Sequence, residues 1–161
     1  MSQQHLYDYH IDEFGRWFCE GNLVSDPELF RILSRSLFVR HGAFFVRCEG
    51  EVHPVRVADV PIWIRYVHVE VTQDGALLGV EIELEDGRRE QLNAEALTVG
   101  REGAALYTRA TSRQLPARFG KSAYYELAKY LAQDHDSGPF YLVIRGRRFD
   151  LRETGPPRLQ D

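Results

Sequence analysis

The chain has 161 residues, enough for one compact domain or two small halves sharing a core, and folding at this size buries roughly 68–70% of the unfolded surface without covalent staples. With 43% hydrophobic, 27% charged and 12% aromatic residues, its composition is that of an ordinary soluble globular protein and excludes disordered and fibrous classes. A net charge of -4 argues against a general nucleic-acid or anionic-membrane binder and leaves room only for local basic patches.

In chain order, Met1 to Gly15 has no basic segment leading into an apolar run, and no stretch approaches about 18 consecutive apolar residues. Neither export nor membrane spanning is expected, and the chain reads as cytoplasmic. Leu6 to Ile11 and Arg16 to Glu20 read as short strands turning at Glu13-Phe14-Gly15. Trp17 and Phe18 point to opposite faces, so at least one of these rings belongs to the core. Ser25 or Asp26 caps a helix that begins at Pro27, where a missing N–H costs nothing, and runs to about Phe38. Strands follow at Ala43 to Cys48 and Val52 to Val57. The only cysteines, Cys19 and Cys48, lie in strands without metal-finger spacing and read as reduced, buried thiols. Pro61 marks the seam between halves.

Beyond the seam, Ile62 to Thr72 alternates, with Trp63, Val67, Val69 and Val71 on one face and Tyr66, His68, Glu70 and Thr72 on the other. Asp74-Gly75 reads as a two-residue hairpin turn that sets Val71 opposite Leu78, Val69 opposite Val80 and Val67 opposite Ile82. The turn around Asp86-Gly87-Arg88 fits three residues, which brings Leu92 to the side of Ile82. Further strands are expected at Ala96 to Val99 and Ala104 to Thr108, an irregular basic stretch from Arg109 to Lys121, and a loose tail through Pro156-Pro157.

Three groups of residues have chemistry worth weighing. The register places His68 opposite Glu81 with Glu70 and Glu83 nearby, a set able to hold a divalent metal or exchange protons, although charge is also what the solvent face of a half-covered sheet carries. Gly120-Lys121-Ser122 opens a second helix. It is the tail end of a phosphate-binding loop signature, but Leu115 stands where that signature needs its first glycine, so a nucleotide hydrolase of that class is excluded. A helix start still attracts anions through its free backbone N–H groups, and Arg113, Arg118 and Lys121 precede or open it with only neutral residues between them. The competing reading is a solvated basic loop with Ser122 as an ordinary cap. The third group, Arg145-Gly146-Arg147-Arg148, is a basic hairpin tip, a usual place for solvated charge. No serine-histidine-acid order, nucleophile elbow, paired cysteines or dinucleotide fingerprint occurs, so no catalytic residue, metal or cofactor is assigned.

An internal echo organises the fold. The apolar stripe Leu29, Phe30, Ile32, Leu33, Leu37 of the first helix matches Tyr124, Tyr125, Leu127, Ala128, Leu131 in nearly the same spacing. With one extra loop residue, Gly42, Phe44, Phe45, Val46, Gly50, Val55 and Arg56 then meet Gly138, Phe140, Tyr141, Leu142, Gly146, Leu151 and Arg152. The expected class is α+β with two similar halves, each a helix packed on an antiparallel sheet: 1–60, 61–152 and a tail 153–161. The runs Gly15-Arg16-Trp17-Phe18-Cys19-Glu20-Gly21, Asp26-Pro27-Glu28-Leu29, Val57-Ala58-Asp59-Val60-Pro61 and Arg118-Phe119-Gly120-Lys121-Ser122-Ala123-Tyr124-Tyr125-Glu126-Leu127 together resemble the bacterial family called domain of unknown function 1285. That resemblance implies a duplicated α+β core, a second half loosely similar to pleckstrin-homology folds, and a cleft between halves that holds a nucleotide-like ligand in a signalling role. The expected function is a non-catalytic ligand-binding or regulatory module. Its anionic ligand would be held by Arg118, Lys121 and Ser122, with Arg113 and Tyr125 in support and Trp17 or Trp63 for stacking. Two alternatives stay open: a protein-interaction domain docking a partner through a sheet edge or oligomeric interface, and an enzyme using His68 with Glu70 and Glu81.

Overall fold

The computed structural model describes residues 6–101 and 105–159, and the chain divides into two compact units, Met1–Pro61 with Leu159–Asp161, and Ile62–Arg158. The beginning of the strand expected from Ala104 and the last two residues of the expected tail lie outside the described residues.

The first unit contains β1 (Tyr9–Ile11), β2 (Trp17–Cys19), β3 (Asn22–Leu23), α1 (Pro27–Ser36), β4 (Phe38–Arg40), β5 (Ala43–Cys48) and β6 (Glu51–Val57). They form one six-stranded sheet in the order β3-β2-β1-β6-β5-β4, antiparallel throughout except where β1 runs parallel to β6. The Asp26 side chain caps α1 by accepting the Glu28 amide at 3.0 Å, with Pro27 in the first turn, where its missing N–H removes a donor the helix could not satisfy. The helix stops at Ser36, short of the expected Phe38. Leu37 is extended and Phe38 pairs with Phe45, because an apolar ring beside an available strand gains more from the sheet than from one more turn. α1 packs on β5, burying Leu33 and Leu37 together with Val46.

The second unit contains β7 (Ile62–Val71), β8 (Leu77–Leu84), β9 (Arg89–Gln91), a single 3-10 turn at Ala94–Ala96, β10 (Thr98–Val99), β11 (Leu106–Ala110), β12 (Leu115–Phe119) and α2 (Lys121–Ala128). After α2 come β13 (Ala132–Gln133), β14 (Phe140–Ile144) and β15 (Arg147–Asp150). The six strands before α2 form a sheet in the order β10-β11-β12-β7-β8-β9, and the last three form a small sheet of their own. α2 packs on β7 and β12 with Ala123 and Leu127 fully buried.

Within β7 and β8 the pairs Val67–Ile82, His68–Glu81 and Val69–Val80 stand as expected, but two irregularities alter the faces. Between Ile64 and Tyr66 the register shifts, so Arg65 is an extra residue that carries Ile62 and Ile64 onto the buried side with Val67 and turns Trp63 to the other. Near the hairpin end, Val71 pairs with Leu77 instead of Leu78. The loop holds three residues, Gln73 to Gly75, with Thr72 N donating to Ala76 O at 2.9 Å and Gly75 at a φ of 85°. The bulge leaves Val71 exposed at 42%. The second hairpin has the expected three-residue loop, since Leu84 N donates to Arg88 O, and Leu92 comes opposite Val80.

Arg109 to Lys121 is regular rather than irregular. Thr111 to Gln114 turn tightly, and β12 then pairs antiparallel with β11 and parallel with β7. Pro116 is compatible with a central strand because pairing with β7 begins only at Ala117. The tail is likewise anchored to the second unit. Val99 N donates to Arg152 O, Gly155 N to Val99 O and Thr98 Oγ1 to Gly155 O at 2.6–2.9 Å, and Arg109 Nη2 reaches Arg158 O at 2.6 Å.

Two repeats emerge. The expected echo holds in pairing: Phe45–Pro54, Val46–His53, Arg47–Val52 and Cys48–Glu51 correspond one for one with Tyr141–Asp150, Leu142–Phe149, Val143–Arg148 and Ile144–Arg147. The larger repeat lies elsewhere. Each six-stranded sheet consists of two antiparallel three-strand meanders joined by a parallel pair between its first and last strands, β1 with β6 and β7 with β12. Pro54-Val55-Arg56 and Pro116-Ala117-Arg118 occupy equivalent places, and just beyond them Ala58 N donates to Ile11 O as Gly120 N donates to Ile64 O. The protein is therefore α+β with two similar halves, each a helix on a predominantly antiparallel sheet.

Candidate functional site

The junction of β12 and α2 carries Arg118 and Lys121, two of the basic residues singled out in the sequence. Gly120 is the residue before the helix, and its amide is tied to Ile64 O at 2.8 Å. A Cβ at this position would lie 3.1 Å from that same oxygen, so close approach to β7 accounts for the glycine without any phosphate. No side chain caps α2, and Ser122 is its second residue rather than its cap. Lys121 and Ser122 are exposed in the first turn, whose remaining backbone N–H groups make a partial positive charge beside the Lys121 ammonium.

Arg118 projects from β12 on the side away from Ala117 and Phe119. Its guanidinium lies over the Trp63 ring at 5.1 Å and the Tyr107 ring at 5.8 Å, the neighbours placed beside it by pairing with β7 and β11. Trp63 Nε1 is shielded from solvent and has no hydrogen-bond acceptor. Tyr125 is 59% exposed, with its ring edge-on to Tyr124 at 5.5 Å. Arg113 is not part of this group. It sits in the turn between β11 and β12, at the opposite end of a strand that rises roughly 3.3 Å per residue. Trp17 belongs to the first unit and is 3% exposed, edge-on to Phe30, so its ring is core and not a stacking surface.

The second group, on β7 to β9, is held together by Arg89, which no sequence motif marks. Arg89 donates through Nε to Glu83 Oε1 at 2.8 Å, contacts Glu81 at 3.5 Å and approaches His68 Nε2 at 2.8 Å. The Arg89 hydrogen bond, opposed by burial and helped by His68, holds the Glu83 carboxyl below the usual range. The same His68 nitrogen lies 3.3 Å from Glu83 Oε1, so it is enclosed between a guanidinium that can only donate and a carboxylate that accepts. The signal that could have found Arg89 was the three-residue loop, which puts it opposite Glu83. In the first unit Cys19 and Cys48 are half-buried free thiols next to the Tyr9 hydroxyl, and burial pushes the Cys19 thiol up against that hydrogen bond.

Two solved structures share this architecture. A DUF1285 family protein from Silicibacter pomeroyi DSS-3 aligns with a TM-score of 0.73 at 21% identity, covering 91% of this chain and 80% of its own. The chain has the DUF1285 fold. A second DUF1285 family protein, from Shewanella baltica OS155, aligns with a TM-score of 0.58 at 18% identity, covering 75% of this chain and 90% of its own. No protein-family model matches the sequence, and no curated protein is similar to it. At the level of fold, the DUF1285 likeness agrees with the resemblance drawn from Arg118-Phe119-Gly120-Lys121-Ser122 and the other motifs. Among the described residues, no helix is long and apolar enough to cross a membrane.

Proposed function

We propose that this protein is a non-catalytic, cytoplasmic ligand-binding module with a regulatory role, taking a small anionic or nucleotide-like group at the start of α2. The observation that carries the reading is a helix N-terminus without a side-chain cap, with Lys121 in its first turn. Arg118, three positions earlier, adds a second cation, and the unmet Trp63 N–H adds a donor seeking an acceptor on the same strand pair. Tyr125 is the aromatic surface left for a base or ring, since Trp63 already carries a guanidinium on its face. A charge-assisted contact contributes about 1.5–3 kcal/mol, so Lys121 and Arg118 together account for a weak site that stacking strengthens. The test is a calorimetric screen of nucleotides and inorganic phosphate against the parent and an Arg118→Ala, Lys121→Ala double variant. The expected result is at least about tenfold weaker binding by the variant; a nucleotide bound equally by both proteins would place the anion site elsewhere.

A second reading, docking of a protein partner, is favoured by the exposure of Tyr125, Phe140 and Val143 at 59%, 43% and 39%. Concentration-dependent sedimentation that disappears in a Tyr125→Ser, Phe140→Ser variant would support it over the first.

A further inference from the structure

Away from the start of α2, the second unit carries a groove of about 560 Å³ along β8, where the turn between β14 and β15 docks on the beginning of that strand. The size falls within the roughly 300–1,000 Å³ of small-molecule sites. Its floor is Gly79, in the interior of β8. That glycine has no positive φ, and an added Cβ would meet only Glu70 Oε2, at an ordinary 3.8 Å. Neither the backbone nor packing requires glycine here, while glycine in a strand interior weakens the strand and marks places where something else approaches closely. The missing side chain opens the groove between the aliphatic walls of Leu78, Leu92 and Ile144.

The charges on the walls are opposite and unmatched. Arg145 is fixed by its amide to Leu77 O at 2.9 Å and by Nε to Leu78 O at 2.7 Å, which leaves its terminal nitrogens turned to other work. Glu70 borders the same groove, yet among the described residues neither Glu70 nor Arg145 forms an ion pair. The neighbouring carboxylates Glu81 and Glu83 differ, both being engaged by Arg89. A ligand bearing one charge would satisfy one wall and leave the other; a ligand bearing both satisfies each.

We propose that this groove binds a small zwitterion with an aliphatic body, of the amino-acid or dipeptide class. Its ammonium meets Glu70, its carboxylate meets the Arg145 guanidinium, and its hydrocarbon lies over Gly79 between Leu78, Leu92 and Ile144. The site is separate from the start of α2, so the Arg118→Ala, Lys121→Ala variant binds the zwitterion as the parent does.

The experiment is amide-resolved NMR titration of the whole protein with L-leucine and with leucyl-leucine. Expected are saturable shifts centred on Leu78, Gly79, Leu92 and Arg145, with the tighter of the two probes deciding between amino acid and dipeptide. Isoamylamine and 4-methylpentanoate, which keep one charge each, should bind at least about tenfold more weakly, since each forfeits a charge-assisted contact. Glu70→Gln should lose the same factor for the zwitterion and none for 4-methylpentanoate. Gly79→Val suits a strand, so it keeps the fold while filling the floor, and should abolish the shifts. The proposal is overturned by the absence of shifts at about 10 mM of either probe, a concentration that detects even millimolar binding. Shifts that survive Gly79→Val, or that are equal for the single-charge analogues, overturn it as well.

Discussion

Asp12 shows how much one side chain can organise in a short turn. Its carboxylate accepts the Phe14 and Arg16 amides at 2.9 and 2.8 Å and the Arg16 guanidinium at 2.7 Å, which closes the loop between β1 and β2. Burial acts to raise its pKa, but the bonds from Arg16 and Phe14 outweigh it and hold the carboxyl below the usual range. A group lowered on folding stabilises fully above the ordinary aspartate value of about 3.9 and loses that contribution as pH falls through the lower folded value. Asp12→Asn should therefore cost about 1–2 kcal/mol at neutral pH, read as a lowered denaturation midpoint, and the gap to the parent should close as pH falls below the ordinary aspartate range. At this scale the sequence was legible where chemistry is local, as with Asp26 capping α1. Spacing is no substitute for direction: Arg113 is near Lys121 in sequence, yet the extended backbone of β12 carries the two apart.

Among the elements, β7 depends most on a single inserted residue. Arg65 is exposed and its side chain lies on Tyr66, yet its place in the backbone sets the face of everything before it. Arg65→Ala should change stability by less than about 0.5 kcal/mol. Deleting Arg65 should turn Ile62 and Ile64 out of the core, a loss of about 3–6 kcal/mol for two buried isoleucines, seen as a collapsed urea midpoint. Equal stability of the deletion and the parent would show that the bulge is dispensable. The shift was written in the sequence, since the apolar positions pass from Ile62 and Ile64 to Val67 and Val69, from even to odd, without a turn between them. The hairpin at Asp74-Gly75 was harder to read. A two-residue turn and a three-residue loop compensated by a bulge leave Val69–Val80 in the same register, and only the exposure of Val71 separates them. Pro116 concealed β12 because proline usually excludes a central strand, and what rescues it is a pairing partner that begins one residue later.

At the scale of the whole molecule, the sequence echo pairs the halves through their helices, whereas the sheets match through Pro54-Val55-Arg56 and Pro116-Ala117-Arg118. That short repeat was present in the sequence, but α1 lies between the two meanders of its sheet and α2 follows the last strand of the other, so helix position drew attention from it. The second unit also depends on its C-terminal segment. Truncation after Asp150 removes the bonds from Val99, Gly155, Thr98 and Arg109 described above, and at a net 0.5–1.5 kcal/mol each should cost about 2–6 kcal/mol. Proteolysis kinetics of the truncated chain would check this, with unchanged protection of β10 and β11 themselves counting against it. The parallel seams matter for synthesis as well as for stability. Because each sheet joins its first strand to its last, β1 emerges from the ribosome long before β6 exists to receive it, and β7 waits in the same way for β12. Until then β1 and β7 have only their antiparallel partners, and the distant closure carries the slow, nonlocal contacts that limit folding rate. A nascent chain stalled before Pro116 should thus present the edge of β7 to whatever strand is nearest, so the pace of translation across β10 and β11 becomes a determinant of yield.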